Sequence, residues 1–206
     1  MGTSKLIWVT PDAENLVAYM ARVSNPENQD NPATAPKLLK YLIKNKHWSP
    51  FEMVNVCMEI ETTRDIARQI LRHRSFSFQE FSQRYAEVVN WDKGEARLQD
   101  NKNRQNSIPI QDRELQRWWD EQQAAVWKQS TEAYKLALQQ GMAKEVARKV
   151  LPEGLAMSRM YMNGTLRSWL HYVDIRCDVS TQKEHREIAQ QCKVVLSSLF
   201  PSLFED

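Results

Sequence analysis

Apolar residues recur along this chain at two spacings, and each spacing predicts a different element. In the stretch 53–61, MVNVCMEIE, every second residue is apolar, which predicts a strand with one apolar side and Cys57 on the other. The stretch 62–71 spaces its apolar residues three and four positions apart, which predicts a helix capped by Thr62 or Thr63. A strand that leads directly into a helix indicates a fold that mixes both elements.

The same two spacings predict the remaining elements. Short apolar or alternating runs predict further strands, the first at a sheet edge, at 5–9, 75–78 and 155–162. Helical spacing predicts one helix that Asp12 caps and that carries Val23, and further helices at 38–46, 113–140, 144–150, 166–173 and 188–199. The polar stretch 90–112 predicts a long surface loop or a ragged hairpin. The predicted class is α/β (α+β): one helix-rich domain over residues 1–206, with a compact mixed sheet and flanking helices.

Composition narrows the functional classes. The 206 residues are 42% apolar and 26% charged, which suits one sizeable core, and a net charge of +2 is too small to indicate a nucleic-acid binder. No apolar run reaches the roughly 18 residues that a membrane span needs, and residues 1–10 lack the pattern of a signal peptide. The three cysteines form no C-x-x-C pair, so neither a disulfide framework nor a metal site is predicted. We expect an intracellular, cytoplasmic protein.

The stretch 72–85, RHRSFSFQEFSQRY, is the candidate functional segment. The helix before it places Arg64, Arg68 and Arg72 on one face at four-residue spacing. Taken alone, such a row is more often a solvated face than a site. Its charge would then be partly balanced by nearby carboxylates, here Asp65, Glu59 and Glu61.

The end of that helix and the segment after it favour a site. Arginine forks, a serine hydroxyl and turn amides suit phosphate oxygens, and Glu80 can accept a hydrogen bond from a hydroxyl or an N–H. The interleaved phenylalanines would anchor the segment to the core. This chemistry predicts a phosphate-bearing small molecule. It leaves open a nucleic-acid-binding module that uses the same arginines, namely Arg64, Arg68, Arg72, Arg74 and Arg84.

The pattern R-H-R at 72–74, seven further residues, Ser82 and then R-Y at 84–85 resembles the signature of the flavin-dependent thymidylate synthases. Other segments resemble the same family in the correct order, namely HWSPFE at 47–52, ARKVLP at 147–152 and RSWLHYVDIRCDVSTQKE at 167–184. The resemblance therefore covers most of the chain.

The resemblance implies a compact α/β subunit of a homotetramer whose active sites lie between subunits. It implies conversion of dUMP to dTMP, with 5,10-methylenetetrahydrofolate as the carbon donor and FAD, reduced by NADPH, as the hydride carrier. Neither nucleic acid nor a membrane is expected as a partner. A flavin-binding protein that has lost methyl transfer stays an alternative, which an assay of dTMP formation separates.

Carried over position by position, the resemblance also implies which residues act. Arg176 would be the catalytic residue, facing the uracil ring and stabilising negative charge on it, whereas the bare sequence leaves open an ion pair with Asp174 or Asp178. Ser82 and Arg84 would bind the phosphate. The expected dUMP ligands are Gln69, Arg72, Glu80, Phe81, Ser82, Gln83, Arg84, Arg148 and Arg176. The expected FAD ligands are His47, Ser49, Glu52, Arg72, His73, Arg74, Glu80, Asn163, Thr165, Arg167 and His171.

Some positions depart from the family pattern. Ser180 stands where relatives often have histidine, and the pattern does not decide whether Asn163 or Thr165 contacts the flavin. The cysteines lack the Pro-Cys-His context of the cysteine-dependent thymidylate synthases, and Ser82 has no evident adjacent base. The resemblance therefore implies a route without an enzyme nucleophile. The polar stretch 95–107 is a possible substrate loop.

Overall fold

A computed structural model describes residues 2–204, and its strands form two antiparallel sheets. The strands are Thr3–Val9 (β1), Asn55–Thr63 (β2), Phe76–Glu80 (β3), Arg97–Gln99 (β4), Ser107–Pro109 (β5) and Met157–Thr165 (β6). The larger sheet has the order β1-β2-β6-β3, so β1 is an edge strand as predicted. The smaller sheet is the hairpin β4-β5, which confirms the ragged hairpin expected within 90–112.

Eight α-helices accompany the two sheets within residues 2–204. They are Ala13–Ala21 (α1), Ala35–Lys44 (α2), Arg64–Ile70 (α3), Arg113–Gln139 (α4), Lys144–Ala147 (α5), Leu166–Arg176 (α6), Lys183–Leu199 (α7) and Pro201–Phe204 (α8). Single 3₁₀ turns at Ser49–Glu52 and Arg148–Val150 lie beside them. None of the helices described within 2–204 combines the length and the apolar composition that crossing a membrane requires.

The core lies on one face of the larger sheet. Met58 and Ile60 of β2 stand opposite Met162 and Met160 of β6, and all four side chains are fully buried. Helices α3, α6 and α7 contribute the facing side chains, and Trp169 also donates a hydrogen bond from its indole N–H to a strand carbonyl. Burying a side chain of this size contributes about 1.5–3 kcal/mol. This face therefore holds α3 and α6, which carry the candidate residues, against the sheet.

A glycine allows β3 to lie close to β6. Gly164 stands opposite Phe76 in the register, and a Cβ added to this glycine would lie 2.4 Å from the Phe76 ring. The ring instead fills that space and packs edge-on against Trp169 with a centroid distance of 4.9 Å. Because Phe76 begins β3, this contact also anchors the end of the R-H-R turn at 72–74.

The predicted mixed α/β, helix-rich class with flanking helices is confirmed, whereas the sheet is antiparallel rather than mixed. Residue spacing shows which side of a strand is apolar, but strand direction depends on pairing between distant segments. Asp12 occupies the N-cap position of α1 as predicted, but its side chain forms no capping hydrogen bond to the helix backbone. It has a left-handed φ of 51°, and its carboxylate instead accepts a hydrogen bond from the Asn15 side chain at 2.8 Å. Val23 lies beyond the end of α1 and is 71% exposed.

Candidate active site

The arginine row along α3 is largely neutralised, but not by the carboxylates expected from the sequence. Arg68 forms a two-pronged ion pair with Glu153, and the Arg64 guanidinium lies 3.5 Å from Glu80. Glu59 instead pairs with Lys5 on the outer face of the sheet. The expectation was wrong because the partners come from segments that fold back from elsewhere in the chain. A continuous stripe of free cations, which a nucleic-acid groove would need, is therefore absent along α3 within residues 2–204.

Besides Arg176, three arginines of the candidate set remain available for an anion. Arg72, Arg74 and Arg148 form no ion pair among residues 2–204. Arg72 and Arg74 are exposed on the turn after α3, and Arg148 is half-buried at the start of a 3₁₀ turn. Guanidinium groups without a carboxylate partner are suited to bind phosphate.

Arg176 contacts His73, not the acidic neighbours that the sequence had left open. Its Nε donates a hydrogen bond to His73 Nε2 at 2.8 Å. Burial, then the charge of Arg176 and then His171 lower the pKa of His73 to about 4, so the ring is a neutral acceptor at pH 7. The ring also packs edge-on against Tyr172 at 5.0 Å. The R-H-R motif thus supplies the group that orients the guanidinium of the predicted catalytic residue.

A buried histidine that the sequence analysis did not select connects to the same cluster. His185 is fully buried, and its Nδ1 lies 3.3 Å from Gln69 Oε1 while its Nε2 lies 3.2 Å from the Tyr172 hydroxyl. Burial, with Arg176 and His73 adding to it, lowers the pKa of this ring to about 3. The only signal in the sequence is that His185 lies three residues before Ile188, on the apolar side of α7. A histidine at such a position is more often packed in the core than part of a site.

Residues 80–85 form a second group, next to the segment that carries Arg148. Arg84 Nε lies 3.2 Å from a Glu145 carboxylate oxygen, and the Ser82 hydroxyl accepts a hydrogen bond from the Arg84 backbone at 3.4 Å. Because α5 runs from 144 to 147 and Arg148 follows it, this contact shows that the two predicted phosphate-binding segments lie side by side.

The other predicted dUMP ligands of residues 80–85 are partly or fully buried. Glu80 accepts a hydrogen bond from the Ser158 hydroxyl at 2.8 Å. Phe81 packs against a second, smaller apolar cluster, to which α4 contributes Trp127 and Tyr134. Gln83 is buried, and its side-chain N–H₂ has no hydrogen-bond partner within residues 2–204. A buried amide donor without a partner is costly, so Gln83 has unused capacity to bind an acceptor.

Three of the predicted FAD ligands line one cavity of about 740 Å³ beside α6. They are Glu52, Arg167 and His171, and an ion pair joins the first two. His47 and Ser49 are exposed on the segment that leads into this region but do not line the cavity. The fold therefore brings three of the predicted FAD ligands, from two segments distant in sequence, to one cavity.

The alternative between Asn163 and Thr165 has a structural basis. The Thr165 hydroxyl accepts a hydrogen bond from the Ser168 backbone N–H at 3.2 Å, so this side chain caps α6. The side-chain oxygen of Asn163 is buried and has no hydrogen-bond partner within residues 2–204. Of the two side chains, that of Asn163 is therefore the one with a free polar atom. Ser180 is committed to a turn, since its hydroxyl donates to Asp178 at 2.6 Å.

All three cysteines are poor candidates for a thiolate nucleophile. Burial raises the pKa of Cys57 and of Cys177, and it raises the pKa of Cys192 to about 12. A thiol with a raised pKa stays protonated at neutral pH, and only the thiolate is a strong nucleophile.

Comparison with known proteins identifies relatives over nearly the whole chain. A "Flavin-dependent thymidylate synthase" from Synechocystis sp. is 53% identical over 190 residues, which cover 92% of this chain and 87% of the relative. A "Probable flavin-dependent thymidylate synthase" from Paramecium bursaria Chlorella virus 1 is 49% identical, covering 98% of this chain and 96% of the relative.

The fold has solved counterparts too. The crystal structure of the UMP/dUMP methylase PolB from Streptomyces cacaoi, bound with 5-Br dUMP, matches with a TM-score of 0.86 and 25% identity, covering 98% of this chain and 92% of that one. The sequence profile of the thymidylate synthase complementing protein family matches residues 5–202. The chain therefore belongs to this family, that of the flavin-dependent thymidylate synthases, and is an enzyme of the methyltransferase class.

Proposed function

We propose that this protein converts dUMP to dTMP, taking the carbon from 5,10-methylenetetrahydrofolate and using FAD reduced by NADPH as the hydride carrier. The observation that carries the proposal is the hydrogen bond from Arg176 to the neutral His73 of the R-H-R motif. This contact occupies one guanidinium N–H and leaves the other donors of the fork for a ligand. The names of the curated relatives support the same reaction.

The nucleotide would bind through arginine side chains that have no carboxylate partner or only an exposed one. We assign Arg84, Arg148 and Ser82 to the dUMP phosphate, with Arg72 beside them. Arg84 is held by Glu145 in an exposed ion pair, which contributes little. A phosphate dianion at this position would replace that carboxylate. The remaining assigned dUMP ligands are Gln69, Glu80, Phe81, Gln83 and Arg176.

The residues present suit FAD. The cavity of about 740 Å³ beside α6 lies within the roughly 300–1,000 Å³ typical of ligand sites. Polar and charged side chains line this cavity, among them Glu52, Arg167 and His171. Asn163 does not line it, but its side-chain oxygen has no hydrogen-bond partner within residues 2–204. When bound, FAD would supply hydride transfer that no protein side chain provides. We assign to it His47, Ser49, Glu52, Arg72, His73, Arg74, Glu80, Asn163, Thr165, Arg167 and His171.

The protein's own contribution would be orientation and electrostatics. Arg176, held by His73, would stabilise negative charge that develops on the pyrimidine. No enzyme nucleophile is required in this proposal, because the cysteine thiols have raised pKa values and Ser82 has no base among its hydrogen-bond partners within residues 2–204.

We further propose that the active site is completed between subunits of a homotetramer. Most of the candidate FAD ligands are exposed in the isolated chain, among them His47, Ser49, Glu52, Arg74 and His171. Cofactors of this size are usually held with most of their surface buried, so a second copy covering these side chains would complete the site. Light scattering should give four chains per particle, and a monomer with full activity would contradict this proposal. One domain over 1–206 and a cytoplasmic location stay predictions.

The test of function is an assay of dTMP formation by the purified, FAD-loaded chain with dUMP, the folate and NADPH. Flavin absorbance without dTMP would favour the alternative of a flavin protein that lacks methyl transfer. Arg84→Ala and Arg148→Ala should each weaken dUMP binding by about 1.5–3 kcal/mol in calorimetry, the scale of a charged hydrogen bond. Arg159→Ala is the matched control, because this arginine is exposed and pairs with Glu61 on the outer sheet face. Equal losses in control and test variants would contradict the assignment.

A further inference from the structure

A chain of hydrogen bonds runs from the core to the surface behind the candidate nucleotide site. It begins at the Tyr172 hydroxyl on α6, passes through the His185 ring at the start of α7 and reaches the Gln69 amide at the end of α3. The Gln69 Nε2 then donates to Gln182 Oε1 at 2.7 Å. Tyr172 and His185 are fully buried, whereas Gln69 is half-buried and Gln182 is exposed.

Only one assignment of donors and acceptors satisfies every group in this chain of hydrogen bonds. The His185 Nε2 is the only hydrogen-bond partner of the Tyr172 hydroxyl among residues 2–204. A buried O–H that donated to nothing would carry the cost of an unsatisfied polar group, so the hydroxyl donates and Nε2 accepts. A neutral imidazole with an accepting Nε2 carries its proton on Nδ1. The Gln69 atom that faces Nδ1 must then be the carbonyl oxygen.

We propose that Tyr172 and His185 are positioning residues that hold the Gln69 amide in one orientation, with its N–H₂ group turned outward as a hydrogen-bond donor. The inference rests on the proposed function, in which Gln69 contacts dUMP. The group that Gln69 recognises must then be a hydrogen-bond acceptor. It is assigned to a carbonyl oxygen of the base rather than to the phosphate, because His185 lies beside His73 and therefore beside Arg176, the residue assigned to the uracil ring. Gln182 Oε1 occupies the donor in the free protein and gives way to the nucleotide.

The surroundings of His185 support this order. The centroid of this ring lies 6.2 Å from that of the His73 ring, and the two rings are nearly perpendicular. Arg176 donates its hydrogen bond to His73 and not to His185. Both histidines have lowered pKa values because burial and Arg176 disfavour a further positive charge. A doubly protonated ring would have no acceptor to offer Tyr172. The neutral form is therefore the one that maintains the chain.

The test is a double-mutant cycle on dUMP affinity, measured by calorimetry on the FAD-loaded full-length protein. Gln69→Ala and His185→Phe should each weaken dUMP binding by roughly three- to tenfold, the scale of one hydrogen bond. If His185 acts through Gln69, then His185→Phe should cause no further loss in the Gln69→Ala background. His185→Gln, which keeps an N–H donor, should recover part of the affinity. Leu196→Ala, at a fully buried site on the same face of α7, is the control for lost packing.

A second readout does not depend on the nucleotide. Nitrogen-15 spectra of the His185 ring should show a protonated Nδ1 and an unprotonated Nε2, and Tyr172→Phe should mix the two tautomers. Protonation at Nε2 in the parent would overturn the inference whatever the protein binds. Additive losses of dUMP affinity in the double-mutant cycle, or an equal loss in Leu196→Ala, would also overturn the inference. The proposal that the protein forms dTMP would not be affected by either result. A parent chain that neither binds dUMP nor forms dTMP would instead overturn the proposed function, and with it the role given to Gln69.

Discussion

Acid should destabilise this protein through two histidines, the half-buried His73 and the fully buried His185, between about pH 6.5 and about pH 5. Burial lowers the pKa of His73 to about 4 and that of His185 to about 3, and Arg176 adds to both shifts. The groups that face these rings are Tyr172 and Arg176 from α6, Gln69 from α3, and His171 near His73. No carboxylate pairs with either ring within residues 2–204, so nothing offsets the cost of protonation.

The sign and size follow from proton linkage. Below about pH 6.5 the unfolded chain protonates both imidazoles while the folded chain does not, so the free energy of unfolding falls as the pH falls. This contribution is complete above the unfolded pKa and is lost as the pH drops toward the folded values. Each group changes the free energy of unfolding by about 1.4 kcal/mol per pH unit. At about pH 5 the loss is therefore about 2 kcal/mol for the fully buried His185. It is at most about 2 kcal/mol for His73, because this ring is only half-buried and water screens part of its charge.

The assay is urea unfolding followed by tryptophan fluorescence at several pH values between about 7 and about 5. This window lies above the range in which carboxylates with lowered pKa, such as Glu153, begin to contribute. His185→Phe should remove about half of the pH dependence. Leu196→Ala should lower the free energy of unfolding by about 2–5 kcal/mol at every pH without changing the slope. An unchanged slope in His185→Phe would refute the reasoning, because it would mean that the ring is already protonated in the folded state.

Three further predictions concern packing and chemistry. Gly164→Ala should lower stability by about 1–3 kcal/mol, because its Cβ would overlap the Phe76 ring, whereas Gly154→Ala, where no atom lies within 4 Å of the added Cβ, should leave the melting temperature nearly unchanged. Trp169→Phe should cost about 1 kcal/mol in urea unfolding through the lost indole hydrogen bond, and a neutral result would mean that the strand carbonyl finds another donor. The single replacements Cys57→Ala, Cys177→Ala and Cys192→Ala should each leave the rate of dTMP formation within about tenfold of the parent, a barrier change of ~1.4 kcal/mol. A folded, flavin-loaded variant without activity would instead indicate that the replaced cysteine is a nucleophile.

The sequence by itself determined the local elements and the chemical character of the site. Alternation in 53–61 and helical spacing in 62–71 were enough to predict β2 and α3, because the period of apolar residues depends only on local backbone geometry. The strand 155–162 was displaced from the observed Met157–Thr165, since pairing of Asn55 with Thr165 extends β6 beyond its apolar run. The residues of 72–85 indicated phosphate chemistry, and the resemblance of the R-H-R signature to a known family implied a flavin. The curated relatives are named for a flavin-dependent enzyme.

The tertiary structure decided which groups meet. His73 and Arg176 are 103 positions apart, Gln69 and His185 are 116 apart, and Arg68 and Glu153 are 85 apart. No local pattern encodes such contacts, because they depend on α6 and α7 packing on the same sheet face as α3. Burial then removed water from His73 and His185 and made both rings neutral, which their sequence neighbours do not indicate. The sequence therefore shows which residue types could bind a ligand or catalyse a reaction. Their partners and protonation states depend on how the helices pack.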